Sequence, residues 1–139
     1  MPSLHLADAA YAGGGRIWFY ELDWSFNSQQ GASHCLDFLL VFGTLSRSEV
    51  AAHPHAHPNA ANELTNVGDQ MRTDWASFAA SGAPGWEPYN SHNRTTRIYD
   101  TVTTDRPYPH ERSRRIWAQH HFDALALPNG NTPPHQQLK

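Results

Sequence analysis

The chain has 139 residues, enough for one modest domain and too few for two, and 39% of them are apolar, which permits a globular fold. Ten Lys and Arg against 13 Asp and Glu leave a formal charge of −3, which supplies no electrostatic footprint for nucleic acid or an anionic membrane. The longest apolar run, Phe38 to Phe42, is far short of the roughly 20 residues a spanning helix needs, and the single cysteine, Cys35, excludes an internal disulfide and every zinc site built on two thiolates.

Met1-Pro2-Ser3-Leu4 has neither a basic nor an apolar leader character, so no signal peptide is expected, and nothing in the sequence assigns a compartment. Ser3 to Ala12 is rich in helix formers, follows a proline suited to a first turn, and stops at Gly13-Gly14-Gly15, which predicts a short helix. Arg16 to Trp24 is β-branched and aromatic, with Ile17 and Phe19 on one face and Trp18, Tyr20 and Leu22 on the other. It reads as a strand covered on both faces. Ser25 to Ser33 is a polar loop, and Cys35 to Phe42 predicts a short helix closed by Gly43.

Arg47 to Asn59 reads as a loop because Pro54 and Pro58 interrupt it. From Ala60 to Ser81 the apolar positions Leu64, Val67, Met71, Trp75 and Phe78 recur at steps of three and four, and Gly82 follows. This is the clearest helix in the chain, with Asn62, Asn66, Asp69, Arg72 and Thr73 opposite, and Trp75 is expected in the core. Trp86 to Asn90 is an extended aromatic piece, and Thr95 to Asp100 one short strand. His110 to Phe122 predicts a last helix with Ile116, Trp117 and Phe122 inward, and residues 128–139, dominated by Pro, Asn, Gly and Gln, a flexible tail. Residues 1–127 are then one domain of α/β character, with one long and one or two short strands flanked by about four helices.

Gly31-Ala32-Ser33-His34-Cys35-Leu36-Asp37 places a histidine in a glycine-containing loop between a strand and an apolar helix, a position that suits a catalytic base. The stretch Trp18-Phe19-Tyr20-Glu21-Leu22-Asp23-Trp24, this loop, the Phe38-Leu39-Leu40-Val41-Phe42-Gly43 segment, the Met71, Trp75, Phe78, Ala79 helix pattern and Trp86-Glu87-Pro88-Tyr89 follow one another in order. In this the chain resembles the C-terminal part of the type-B carboxylesterases, the family of the cholinesterases and para-nitrobenzyl esterases, over about residues 4 to 122. The resemblance implies a C-terminal fragment of an α/β-hydrolase fold. It further implies that His34 is the general-base histidine of a Ser-acid-His triad in a hydrolase of small-molecule carboxylic esters, with no cofactor. Asp37 stands where the family usually has Glu, Cys35 where Gly is common, and the segment His53 to Asn59 has no counterpart. The chain has no Gly-x-Ser-x-Gly nucleophile turn, and the resemblance puts serine and acid upstream of the histidine, so the chain alone is expected to be inactive and to leave parts of Phe38, Phe42 and Trp75 uncovered.

Two other readings use different residues. His53, His55 and His57 alternate, and with His110 or His120 would suit a nickel or zinc ion, although Pro54 and Pro58 keep the run irregular. Alternatively, the fold serves only as a binding or adhesion surface, as in carboxylesterase relatives that have lost catalysis. Arg112, Arg114 and Arg115 are read as a solvated helix face with Glu111 paired to Arg115.

Overall fold

A strand with two apolar faces needs cover on both, and Arg16 to Trp24 obtains it from helices that come before and after it in sequence. The computed structural model describes residues 2–118, in two compact units, Met1–Pro109 and His110–Lys139. In the first unit the order is α1 (Pro2–Ala12), β1 (Phe19–Leu22), α2 (Leu36–Phe42), α3 (Arg47–Ala52), α4 (Ala60–Ser81), β2 (Thr95–Tyr99) and β3 (Thr104–Pro107). The described part of the second unit holds α5 (Glu111–Trp117). The mixed α/β class is therefore as expected, while the long strand is trimmed to four residues. The expected tail, Phe122 and His120 lie outside the described residues.

β1 pairs in parallel with β2, and β2 pairs antiparallel with β3, in the order β1-β2-β3. The β1-to-β2 connection carries α2, α3 and α4, the crossover that a parallel pair requires. The two faces of β1 divide as its alternation implies. Tyr20 and Leu22 pack against a core of Trp24, Leu36, Leu40, Val50, Leu64, Val67, Met71 and Tyr99, supplied mainly by α2, α3 and α4. Ile17 and Phe19 pack against Leu4 and Ala7 of α1 and against Tyr89.

Two expectations are corrected, and one expected exposure is borne out. Arg47 to Ala52 is helical, not loop, because Ser46 and Glu49 form a capping box: the Ser46 hydroxyl accepts from the Glu49 N–H while the Glu49 carboxylate accepts from the Ser46 N–H. Pro54 and Pro58 end that helix rather than prevent it. Trp75 and Phe78 continue the apolar stripe of α4 and are 45% and 49% exposed; Trp75, like Phe38 and Phe42, is uncovered as expected of this chain alone. Phe78 meets the Trp18 ring and Trp75 the Tyr20 ring edge-on; β1 is the edge of the sheet, and among the described residues no strand pairs with its outer side. An apolar groove of about 300 Å³ lies there, lined by Trp18, Tyr20, Trp75, Phe78 and Trp86. Ile116 and Trp117 of α5 are exposed rather than inward, and Glu111 pairs with both Arg114 and Arg115. No helix among the described residues is long and apolar enough to cross a membrane.

The sheet is tied to α4 by charge as well as by packing. Asp74, buried on α4, accepts from Tyr99 Oη at 2.7 Å, from Arg97 at 2.9 Å and from Gln70 at 2.9 Å. Arg97 also pairs with Asp105 of β3 at 2.8 Å, and its guanidinium lies 4.3 Å from the Trp86 ring centroid. Burial, reinforced by the hydrogen bond to Asp74, raises the Tyr99 phenol above its ordinary range; burial and the bond to Asp8 do the same for Tyr89.

A group whose pKa is raised on folding stabilises the fold fully below its unfolded value and loses that contribution as pH rises. Stability should therefore be flat up to about pH 10 and then fall, by up to about 1.4 kcal/mol per pH unit for each of Tyr89 and Tyr99. Urea midpoints measured between pH 8 and 11 check this. The steep alkaline limb should shrink in Tyr89→Phe.

Candidate active site

His34 sits in the connection that leaves the C-terminal end of β1, two residues before α2, and its side chain is exposed. Among the described residues no hydrogen bond occupies its ring, so the imidazole is available to a group approaching from outside. The backbone on either side is held. Upstream, the Asn27 carbonyl accepts from the N–H groups of Gln30 at 3.2 Å and Gly31 at 3.0 Å, and the Asn27 side chain accepts from Gln29 N–H at 2.9 Å. Asn27 itself is 2% exposed, so this turn is anchored in the protein and not merely folded on itself. Gly31 lies at φ +64°, in the left-handed region, and a Cβ there would meet open space, so it is the backbone and not crowding that calls for glycine.

Downstream, Leu36 is buried and begins α2. Asp37 accepts from the Tyr20 hydroxyl of β1 at 3.0 Å and from the Phe38 N–H at 2.9 Å. The carboxylate three residues after His34 thus ties the helix to the strand, and aspartate is long enough to do it. Burial, with the neighbouring Asp37 charge, raises the Tyr20 phenol so that it stays a donor. This Tyr20–Asp37 tie was not visible in the sequence, where both residues read only as members of their own elements.

Cys35, next to the histidine, adopts φ 64° and ψ 9°. A non-glycine residue in this region costs on the order of 1 kcal/mol. Cys35 is exposed and free, so its side chain gives little in return. Cys35→Gly should therefore raise the unfolding free energy by about 1 kcal/mol, read as a higher urea midpoint with an unchanged slope. The glycine expected at this position from the resemblance thus has a backbone reason.

The histidine-rich segment packs beside the chain that leaves β1. Among the described residues no group of three or more His, Cys, Asp and Glu side chains is placed to hold an ion. His53 accepts from the His55 N–H at 3.3 Å and packs edge-on against Phe26, with ring centroids 5.1 Å apart. His57 Nε2 faces the Ser25 carbonyl at 3.3 Å and the Glu63 carboxylate at 3.4 Å.

No protein-family model matches the chain. The para-nitrobenzyl esterase of Bacillus subtilis (strain 168) is 26% identical over 106 residues, 71% of this chain and 21% of that protein. Among solved structures, the carboxylesterase of Geobacillus stearothermophilus at pH 6.2 matches 82% of this chain and 24% of its own, with a TM-score of 0.62 and 23% identity. A thermophilic PNB esterase matches 73% of this chain and 22% of its own, at TM-score 0.59 and 25% identity. This chain thus spans about a fifth to a quarter of the length of these relatives. With a parallel strand pair, a crossover through the long α4 and a sheet edge left open, it shares the α/β-hydrolase fold of these carboxylesterases over the part it covers and resembles the type-B carboxylesterases in sequence.

Proposed function

We propose that this chain is the C-terminal segment of a serine carboxylic-ester hydrolase and that His34 is its general base. The observation that carries this reading is the mounting of His34: an exposed imidazole on a loop pinned to the core on both sides, leaving the C-terminal end of a sheet strand. Such a group takes the proton from a serine hydroxyl as the oxygen attacks an ester carbonyl, and returns it to the leaving alkoxide when the tetrahedral intermediate collapses. The serine, the acid and the N–H donors for the oxyanion belong to polypeptide beyond these 139 residues, which hold no Gly-x-Ser-x-Gly turn. The open edge of β1 and the uncovered Trp75 and Phe78 support the same reading, since an adjoining strand and its side chains would cover them. The ligand class is a small-molecule carboxylic ester.

Two measurements test the proposal. The isolated chain should show no saturable hydrolysis of p-nitrophenyl acetate beyond that of free imidazole, and His34→Ala should leave this background unchanged, because a base without a positioned nucleophile retains little acceleration. In the source organism, a fluorophosphonate that labels activated serines should tag a species containing this chain's peptides. Saturable turnover by the isolated chain would mean that it carries a nucleophile of its own. A source species that resists the probe would favour the non-catalytic binding reading.

A further inference from the structure

We propose that His57 is a positioning residue for His34, strapping the loop that presents the catalytic imidazole to helix α4. The inference takes its functional meaning from the reading of His34 as general base, but it rests on separate geometry. The segment His53 to His57 lies alongside the chain that leaves β1. An isolated antiparallel bridge joins Asn27 to Ala56, and the His57 N–H donates to the Phe26 carbonyl at 3.1 Å.

The His57 side chain closes the strap. Its Nε2 faces two acceptors, the Ser25 carbonyl at 3.3 Å and Glu63 Oε2 at 3.4 Å, so the ring tautomer with hydrogen on Nε2 is the one this environment selects. Glu63 is a firm anchor, since it stands in the first turn of α4 and also accepts from Trp24 Nε1 at 2.9 Å and Thr101 Oγ1 at 3.3 Å. Pro58 keeps His57 out of the helical region, so α4 starts beyond it and the imidazole stays on the strap.

The chain of support then runs from α4 through Glu63, His57, Ser25 and Phe26 to Asn27. Asn27 in turn sets Gln30 and Gly31, just ahead of His34. Tyr20 and Asp37 hold the other side. His34 is therefore mounted at two points, and His57 controls one of them.

The experiment compares hydrogen exchange, resolved to single amides by fragmentation mass spectrometry, in the wild-type chain, His57→Phe and His57→Gln. Phenylalanine keeps the ring and removes the donor. Exchange at the Gln30 and Gly31 amides should accelerate on the order of tenfold, as loss of the hydrogen bond to the Ser25 carbonyl and of the Glu63 contact implies, while Val67 and Met71 at the centre of α4 keep their rates. Glutamine, whose side-chain N–H reaches the same acceptors, should restore wild-type rates. Gln30 and Gly31 rates within about twofold of wild type in His57→Phe would overturn the proposal. So would an equal acceleration at Val67 and Met71, which would make His57 a support of the whole fold, or a glutamine variant that behaves like phenylalanine. The readout uses no turnover, so failure of the general-base reading would show in the esterase assays and not here.

Discussion

Replacing His34 by alanine in the polypeptide that supplies the serine should lower kcat for a p-nitrophenyl ester by about 10⁴-fold or more, with KM changed little. The size follows from the general-base role proposed for His34. Proton transfer alone contributes about 10² to 10⁴, and because the triad acts as a unit, removing one member disables the nucleophile as well. The direction of the KM effect follows from the role proposed for His34: a general base meets the reacting hydroxyl, whereas ester binding would fall to other surfaces. Steady-state rates of the two proteins check the prediction. A variant that keeps more than a tenth of the activity would remove His34 from the mechanism. The same substitution should leave the urea midpoint of the isolated chain within about 0.5 kcal/mol, since no buried contact is lost.

Asp74→Ala should cost about 3 to 5 kcal/mol of stability, the range for breaking a buried ion pair by removing one partner. The Asp74 side chain is 6% exposed and that of Arg97 13%. Removing the carboxylate leaves the Tyr99 hydroxyl without its acceptor and Arg97 with half of its compensation, in a place that water reaches poorly. A net domain stability is only about 5 to 15 kcal/mol, so such a loss takes much of it. Urea unfolding followed by tryptophan fluorescence measures it. Adding Arg97→Met to Asp74→Ala should recover part of the loss, because the buried cation then disappears with its partner. A single-variant loss below about 1 kcal/mol would show that the pair is solvated in solution and does not join α4 to the sheet.

How much of this was legible in the sequence depends on how far apart the interacting residues lie. Helix α4 was readable to the residue because its signal is local: Leu64, Val67 and Met71 repeat at helical spacing and Gly82 ends the run. The same periodicity places Trp75 and Phe78 on that face, but a repeat does not say whether anything covers it. Helix α3 was hidden by giving the two prolines more weight than Ser46 and Glu49, whose spacing does announce a helix start. Strand β3, Thr104–Pro107, is exposed throughout and has no apolar alternation, so only its backbone pairing with β2 reveals it. At the site, the glycine-bounded loop around His34 was visible. The tie from Tyr20 to Asp37 and the contact of His57 with Glu63 and the Ser25 carbonyl were not, because each joins residues far apart in the chain.

The parallel pairing of β1 with β2 also bears on how the chain is made. Phe19 lies opposite Thr96, so a ribosome that has finished β1 must add the whole of α2, α3 and α4 before the partner strand exists. At about 5 to 20 residues per second, that delay lasts roughly 4 to 15 s. Throughout it Phe19 to Leu22 are an aromatic-rich strand segment with no ladder on the side that β2 later takes, the kind of segment that recruits chaperones or joins another nascent chain. α1 is complete before β1 emerges and can shield the Ile17 and Phe19 face at once. The Tyr20 and Leu22 face waits for α2 and α4. Substitutions that slow α4 should therefore lower yield during synthesis by more than their effect on the finished fold would suggest.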